Sequence, residues 1–156
     1  MFGFFKKYDA HLCSAVTGRI LNNVKPLVGV KIERELIDFD SKTHEDSTLS
    51  DEHGYFSLPA INIRSRSAGA LFRELLTNQD IYIQRKGVSF TLWSTTLWGV
   101  EPVTAFNKKL AQLEADVSNN EVAFTFINEN NPNVPYCARS ICRWESDFTI
   151  LRIIED

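Results

Sequence analysis

The chain has only three cysteines, no excess of basic charge and no long apolar run, and each shortage removes a class of protein. Cys13, Cys137 and Cys142 are an odd number. They do not make the even framework of a small secreted disulfide scaffold, and they fit a reducing, cytoplasmic setting. A chain of 156 residues buries roughly 68–70% of the surface it exposes when unfolded, so it needs no such staple. Cys137 and Cys142 are close enough for a loop disulfide or half of a metal site. No second Cys or His pair at zinc spacing accompanies them, and small buried hydrophobes are the expected role. Seventeen Lys and Arg stand against twenty Asp and Glu, for a formal net charge of −3. A nucleic-acid binder gathers basic residues on one face, so no nucleic acid is expected as partner. Nowhere do about 18 apolar residues run together, which leaves no transmembrane segment expected. The opening MFGFFKKYDA puts its apolar residues before its lysines, the reverse of a secretory signal. The cluster of Phe2, Phe4, Phe5, Lys6 and Lys7 buries too little to anchor at a membrane, and residues 1–10 read as a flexible amino-terminal segment.

Catalytic motifs are lacking as well. His11, His44 and His53 lie on separate segments, and none forms the H-E-x-x-H pair of a zinc hydrolase. There is no G-x-S-x-G elbow and no P-loop. His11 and Cys13 share one face of a predicted strand, a weak nucleophile signal. The stretch Asp38, Asp40, Glu45, Asp46 lacks the Asp-x-Asp-x-Asp-Gly order of a calcium loop. The expectation is no catalytic residue, no metal and no cofactor.

What the chain does have is alternation. Val28, Val30 and Ile32 sit two apart, with Lys31 and Glu33 pointing the other way, which predicts a strand with one wet face. Similar patterns occur over residues 12–21, 47–49, 55–59, 81–84, 88–98, 122–126 and 148–154. Between two of these, Asp51 is placed to cap a turn and Gly54 to take positive φ. Leu71, Leu75 and Leu76 predict one short helix over residues 67–77. Residues 107–117 read as helix by propensity and as strand by alternation, and both readings stay open. Seven to eight short strands with one short helix predict a mainly β protein, an antiparallel β-sandwich in a single domain over residues 1–156.

Three segments carry a family resemblance: Val16-Thr17-Gly18-Arg19-Ile20, Lys25 through Ile32 (KPLVGVKI), and Thr48 through Pro59 (TLSDEHGYFSLP). Together they resemble the carboxypeptidase regulatory-like domain, a transthyretin-type β-sandwich, with Ser50 where that family usually has threonine. The resemblance covers residues 14–59. It implies a structural or binding module, and the whole layout is similar to small standalone bacterial members beside type VI secretion effectors. An immunity protein that binds and neutralises a cognate toxin is the sharpest expectation, with an adaptor module of a secretion or surface assembly as the alternative.

Candidate contact residues follow from charge and aromatics. Asp38, Asp40, Glu45 and Asp46 form an acidic stretch suited to a basic groove on a partner protein. Arg64, Arg66 and Arg73 form an opposite patch beside the predicted helix. Trp93 and Trp98 are candidate anchors, because tryptophan dominates interface hot spots and because Trp93 has the opposite parity to Phe90 and Leu92.

Overall fold

The computed structural model describes residues 6–155 and is mainly β, a β-sandwich of antiparallel sheets with one short α-helix. Thirteen strands follow one another: β1 (Tyr8–Cys13), β2 (Val16–Asn22), β3 (Lys25–Pro26), β4 (Lys31–Ile37), β5 (Thr43–Leu49), β6 (Tyr55–Leu58), β7 (Ile61–Ser65), β8 (Leu76–Arg85) and β9 (Val88–Trp98), then, after helix α1 (Thr104–Leu110), β10 (Leu113–Asp116), β11 (Val122–Phe126), β12 (Tyr136–Ser140) and β13 (Thr149–Ile153). The number exceeds the expectation because the second layer is built from short pieces.

The larger sheet has seven strands in the order β13-β11-β12-β9-β8-β4-β5, so β9 lies at its centre. Against it lie the β10-β2-β3 sheet, with β6 also on β2, and the β1-β7 pair. The inward residues form one contiguous core, including Leu12, Ile20, Ile32, Ile81, Leu92, Trp93, Leu113 and Phe124. At one end the core is aromatic. Trp93 meets Phe106 edge-on at 5.6 Å and Trp144 at 6.3 Å, and Phe124 packs on Phe148 at 4.9 Å.

Several local expectations hold. Asp51 Oδ1 accepts the amides of His53 and Tyr55, both at 2.9 Å, and Gly54 has φ +82°. A Cβ on Gly54 would also stand 2.6 Å from the Ile20 carbonyl oxygen, so this turn has no room for another residue. The open choice over residues 107–117 resolves as both: α1 ends at Leu110 and β10 begins at Leu113. Strand β10 runs parallel to β2, Leu113 opposite Gly18, an exception to the antiparallel pattern.

Three expectations need correction. The helix over residues 67–77 is not there. Only a 3-10 turn spans Ser67–Gly69, Leu71 and Phe72 are exposed, Phe72 has φ +63°, and Leu76 already begins β8. The leucine spacing came from a loop running into a strand. Second, the flexible segment expected over residues 1–10 does not hold from Tyr8 onward, where the chain is in β1, paired with β7; Phe2, Phe4 and Phe5 lie outside the described residues. Third, Trp93 is fully buried. The ladder of β8 and β9 pairs Ile81 with Trp93 and Tyr82 with Thr91, which leaves Leu92 as an extra, bulged residue. The bulge turns both Leu92 and Trp93 inward, which strict parity does not allow.

Candidate functional site

The four carboxylates expected in one acidic patch go to different places. Asp38 is buried at the turn between β4 and β5. Its Oδ1 accepts the amides of Asp40 (2.8 Å) and Lys42 (3.0 Å), and its Oδ2 lies 2.8 Å from His44 Nε2. Burial pushes this carboxyl up, but His44 and the two amides outweigh it and hold it below the ordinary value. Asp40 takes Arg73 Nη1 at 3.0 Å and the Ser65 hydroxyl at 3.3 Å. Asp46 points inward from the edge strand β5 and accepts Arg34 Nε at 2.8 Å and Nη2 at 2.5 Å. Arg34 is itself fully buried between the layers; its Nη2 also donates to the Pro59 carbonyl, and its Nη1 is buried without a hydrogen-bond partner. Asp38, Asp40 and Asp46 are therefore each held by a partner within the fold. Adjacent residues in a strand face opposite ways, so Glu45 points out where Asp46 points in.

Glu45 belongs to a different group, one that no local reading brings together. Strand pairing sets Glu45 opposite Glu35, Glu35 opposite Asp80, Asp80 opposite Ser94, and Ser94 opposite Arg139. Arg139 stands opposite Ala123, and Ala123 opposite Arg152. One row thus crosses all seven strands on the outer face of the large sheet, acidic in one half and basic in the other. Among the described residues, Glu35, Glu45 and Asp80 have no hydrogen-bond or ion-pair partner, whereas neighbouring Glu33 has Lys31 at 3.3 Å. Like charges directly opposite on a sheet destabilise it. Tyr82 registers the crowding: burial, then Glu33, Glu35, Glu45 and Asp80, push its phenol above the ordinary value.

Trp98 lies on this same outer face of β9, two residues beyond Thr96 and four beyond Ser94, and is 65% exposed. Beside it a cleft of about 830 Å³ opens where β9 meets β12, lined among others by Asp80, Trp98, Val134, Tyr136, Cys137 and Arg139. The join itself is thin. β9 and β12 share one ladder position, the Ile141 amide just past β12 donates to the Thr91 carbonyl (2.8 Å), and side chains add hydrogen bonds from Thr95 Oγ1 to the Cys137 carbonyl (2.7 Å) and from Ser140 Oγ to that of Leu92. A second cleft of about 810 Å³ lies over the other sheet, with Arg19 on the ring of Tyr55 at 4.8 Å.

A family model described as "Domain of unknown function (DUF6795)" matches residues 16–120. The chain belongs to that family. No curated protein and no solved structure matches it. The DUF6795 match runs from β2 to just past β10, so it holds Glu35, Glu45, Asp80 and Trp98, while Arg139, Arg152 and the far wall of the cleft lie beyond it.

Two chemical candidates dissolve in this DUF6795 fold. The pairing of β1 with β7 shifts between His11 and Cys13, so the two do not act together. Cys13 is buried and its thiol is pushed up to about 11 by burial. His11 instead bonds Asn62 Oδ1 through Nδ1 (2.8 Å) and Ser14 Oγ through Nε2 (3.0 Å), an order like that of a serine triad. The serine proton is directed elsewhere, however: Ser14 Oγ donates to Asn107 Oδ1 rather than to the histidine. Neither cleft is lined by His11, Ser14 or Asn62. The three cysteines are free: Cys142 is buried, its thiol pushed up to about 12 by burial, and Cys137 is exposed, contrary to its expected burial. Arg64 and Arg73 are occupied by Asp9 (3.4 Å) and Asp40, so they form no open basic patch.

Proposed function

We propose that this DUF6795 domain is a non-enzymatic protein-binding domain, and that its partner presents a cationic surface to the outer face of the large sheet. The row Glu45, Glu35, Asp80 carries the reading. Three adjacent, unneutralised carboxylates cost stability, and sites that break a folding rule are commonly those kept for function. Docked cations would relieve the repulsion, speed encounter and fix orientation. Exposed Trp98 beside the row supplies an aromatic anchor of the kind that dominates interfaces.

The sharpest form of this proposal is a cytoplasmic immunity protein that occludes a type VI toxin; the resemblance to carboxypeptidase regulatory-like domains supports it. The adaptor alternative is favoured by one observation: the edge strand β13 exposes Ile150, Leu151 and Ile153, a surface suited to strand addition. The test is capture of the partner from the native host, followed by binding kinetics across a salt series. Glu35→Lys with Glu45→Lys should slow association about tenfold or more and flatten its salt dependence. Unchanged kinetics would overturn the reading, and loss of binding on Leu151→Pro instead would move it to the adaptor.

A further inference from the structure

The cationic surface that fits the acidic half of the row is present on this chain. Counted outward from Ser94 on the central strand, Asp80, Glu35 and Glu45 occupy the first, second and third strands on one side. Arg139, Ala123 and Arg152 occupy the first, second and third on the other. We propose that a second copy of this chain docks on the outer face of the seven-stranded sheet, related by a two-fold axis that runs parallel to β9 in the plane between the two faces. Such an axis carries each half of the row onto the opposite half. Asp80 then meets Arg139 of the second copy, Glu45 meets Arg152, Glu35 meets Ala123, and each ion pair occurs twice, as a self-complementary interface requires.

A feature independent of charge falls on the same axis. Ser94, Thr96 and Trp98 all point outward from β9, and a residue on the axis meets its own copy, so the exposed Trp98 packs on Trp98. The next row along the strands is uncharged: Thr43, Ile37, Asn78 and Thr96 are aligned by pairing, and Thr125 and Thr149 continue it on the far side. Each sheet is twisted and curves away from its partner at its edges, so the pairs nearest the axis make the closest contacts. Asp80 and Arg139 are those pairs. The present commitments of Arg139 are weak, to Ser94 Oγ at 3.3 Å and to Glu121 at 3.8 Å, and Arg152 is exposed. The second copy would also close the cleft between β9 and β12, whose rim includes Asp80, Trp98 and Arg139.

The test is sedimentation equilibrium of the full chain at concentrations up to about 100 μM, where even a modest dissociation constant populates dimer. Wild type should be dimeric at low salt and dissociate as salt rises. Asp80→Arg alone sets arginine against arginine twice, and Arg139→Asp alone sets aspartate against aspartate twice, so each should weaken the dimer about tenfold or more. An equimolar mixture of the two variants restores both ion pairs and should recover dimer close to the wild-type level. The mixture also shows that both variants are folded, and Glu45→Arg with Arg152→Glu provides a second, outer pair. A monomeric wild type, variants that dimerise like wild type, or a mixture that stays monomeric would each overturn the proposal. A foreign cationic partner would use only the acidic half, so Arg139→Asp separates the two readings: it dissolves the homodimer and leaves that partner bound.

Discussion

Replacing Asp46 by alanine should be among the most damaging single changes to this fold, although Asp46 sits on an edge strand and reads as a surface acid. The Arg34 side chain has no exposure and Asp46 28%, so the pair is buried on one side only. Removing one partner of a buried ion pair costs about 3–5 kcal/mol, because the other charge is left without compensation. Water reaching the edge strand reduces that, and we expect about 3 kcal/mol for Asp46→Ala. Arg34→Met removes the buried charge itself and leaves Asp46 able to meet solvent. Its cost should be near 1 kcal/mol, mainly the Pro59 carbonyl that loses its donor. Urea unfolding followed by the fluorescence of Trp93 and Trp144 measures both. With a slope of about 2 kcal/mol per molar urea, Asp46→Ala should lower the midpoint by about 1.5 M and Arg34→Met by about 0.5 M. A cost below about 1 kcal/mol for Asp46→Ala, or a larger cost for Arg34→Met than for Asp46→Ala, would refute the reasoning.

Asp116 gives a pH prediction. Although burial pushes it up, the hydroxyl of Ser118 and the amides of Val24, Ser118 and Asn23 hold its carboxyl at about 2. Its folded value is thus depressed, so its stabilisation is complete above the unfolded value of about 3.9 and is lost as pH falls toward 2. Asp116→Asn should lower stability at neutral pH and flatten the acid limb of a thermal-melt series; a parallel downward shift at every pH would count against it. Val24 has φ +63° in the turn that Asp116 holds, an unfavourable conformation for a β-branched residue. Val24→Asn should raise stability by about 1 kcal/mol in the same urea assay, and a loss would show that the turn is not strained there. A colorimetric thiol titration of the native protein should find one fast cysteine, Cys137, with Cys13 and Cys142 reacting only on unfolding.

The sequence carries the parts of this fold that depend on near neighbours. Alternation marks β8 and β11, and Asp51 with Gly54 marks a turn, because strand faces and turn angles are set within a few residues; the expected strand through Val28 and Val30 is instead a loop with Val28 exposed, and β4 begins only at Lys31. Leu71, Leu75 and Leu76 mislead because helical spacing arises by chance where a loop enters a strand. The Leu92 bulge is invisible because the extra residue is defined only against a partner strand. The candidate face shows the same limit more sharply. Asp38, Asp40 and Asp46 are neighbours of Glu45 along the chain, yet each is consumed locally by His44, Arg73 or Arg34. The partners of Glu45 in the row are Glu35 and Asp80, and only strand order and register put them there.

The parallel seat of β10 on β2 has a consequence for the order of events at the ribosome. β2 is complete at Asn22, and its partner on that side does not begin until Leu113. At about 5–20 residues per second, the flank of β2 stays open for roughly 5–18 s of synthesis, with β6 able to protect only the opposite side. A nascent chain stalled before residue 113 should therefore recruit holding chaperones, and one released past β10 should shed them.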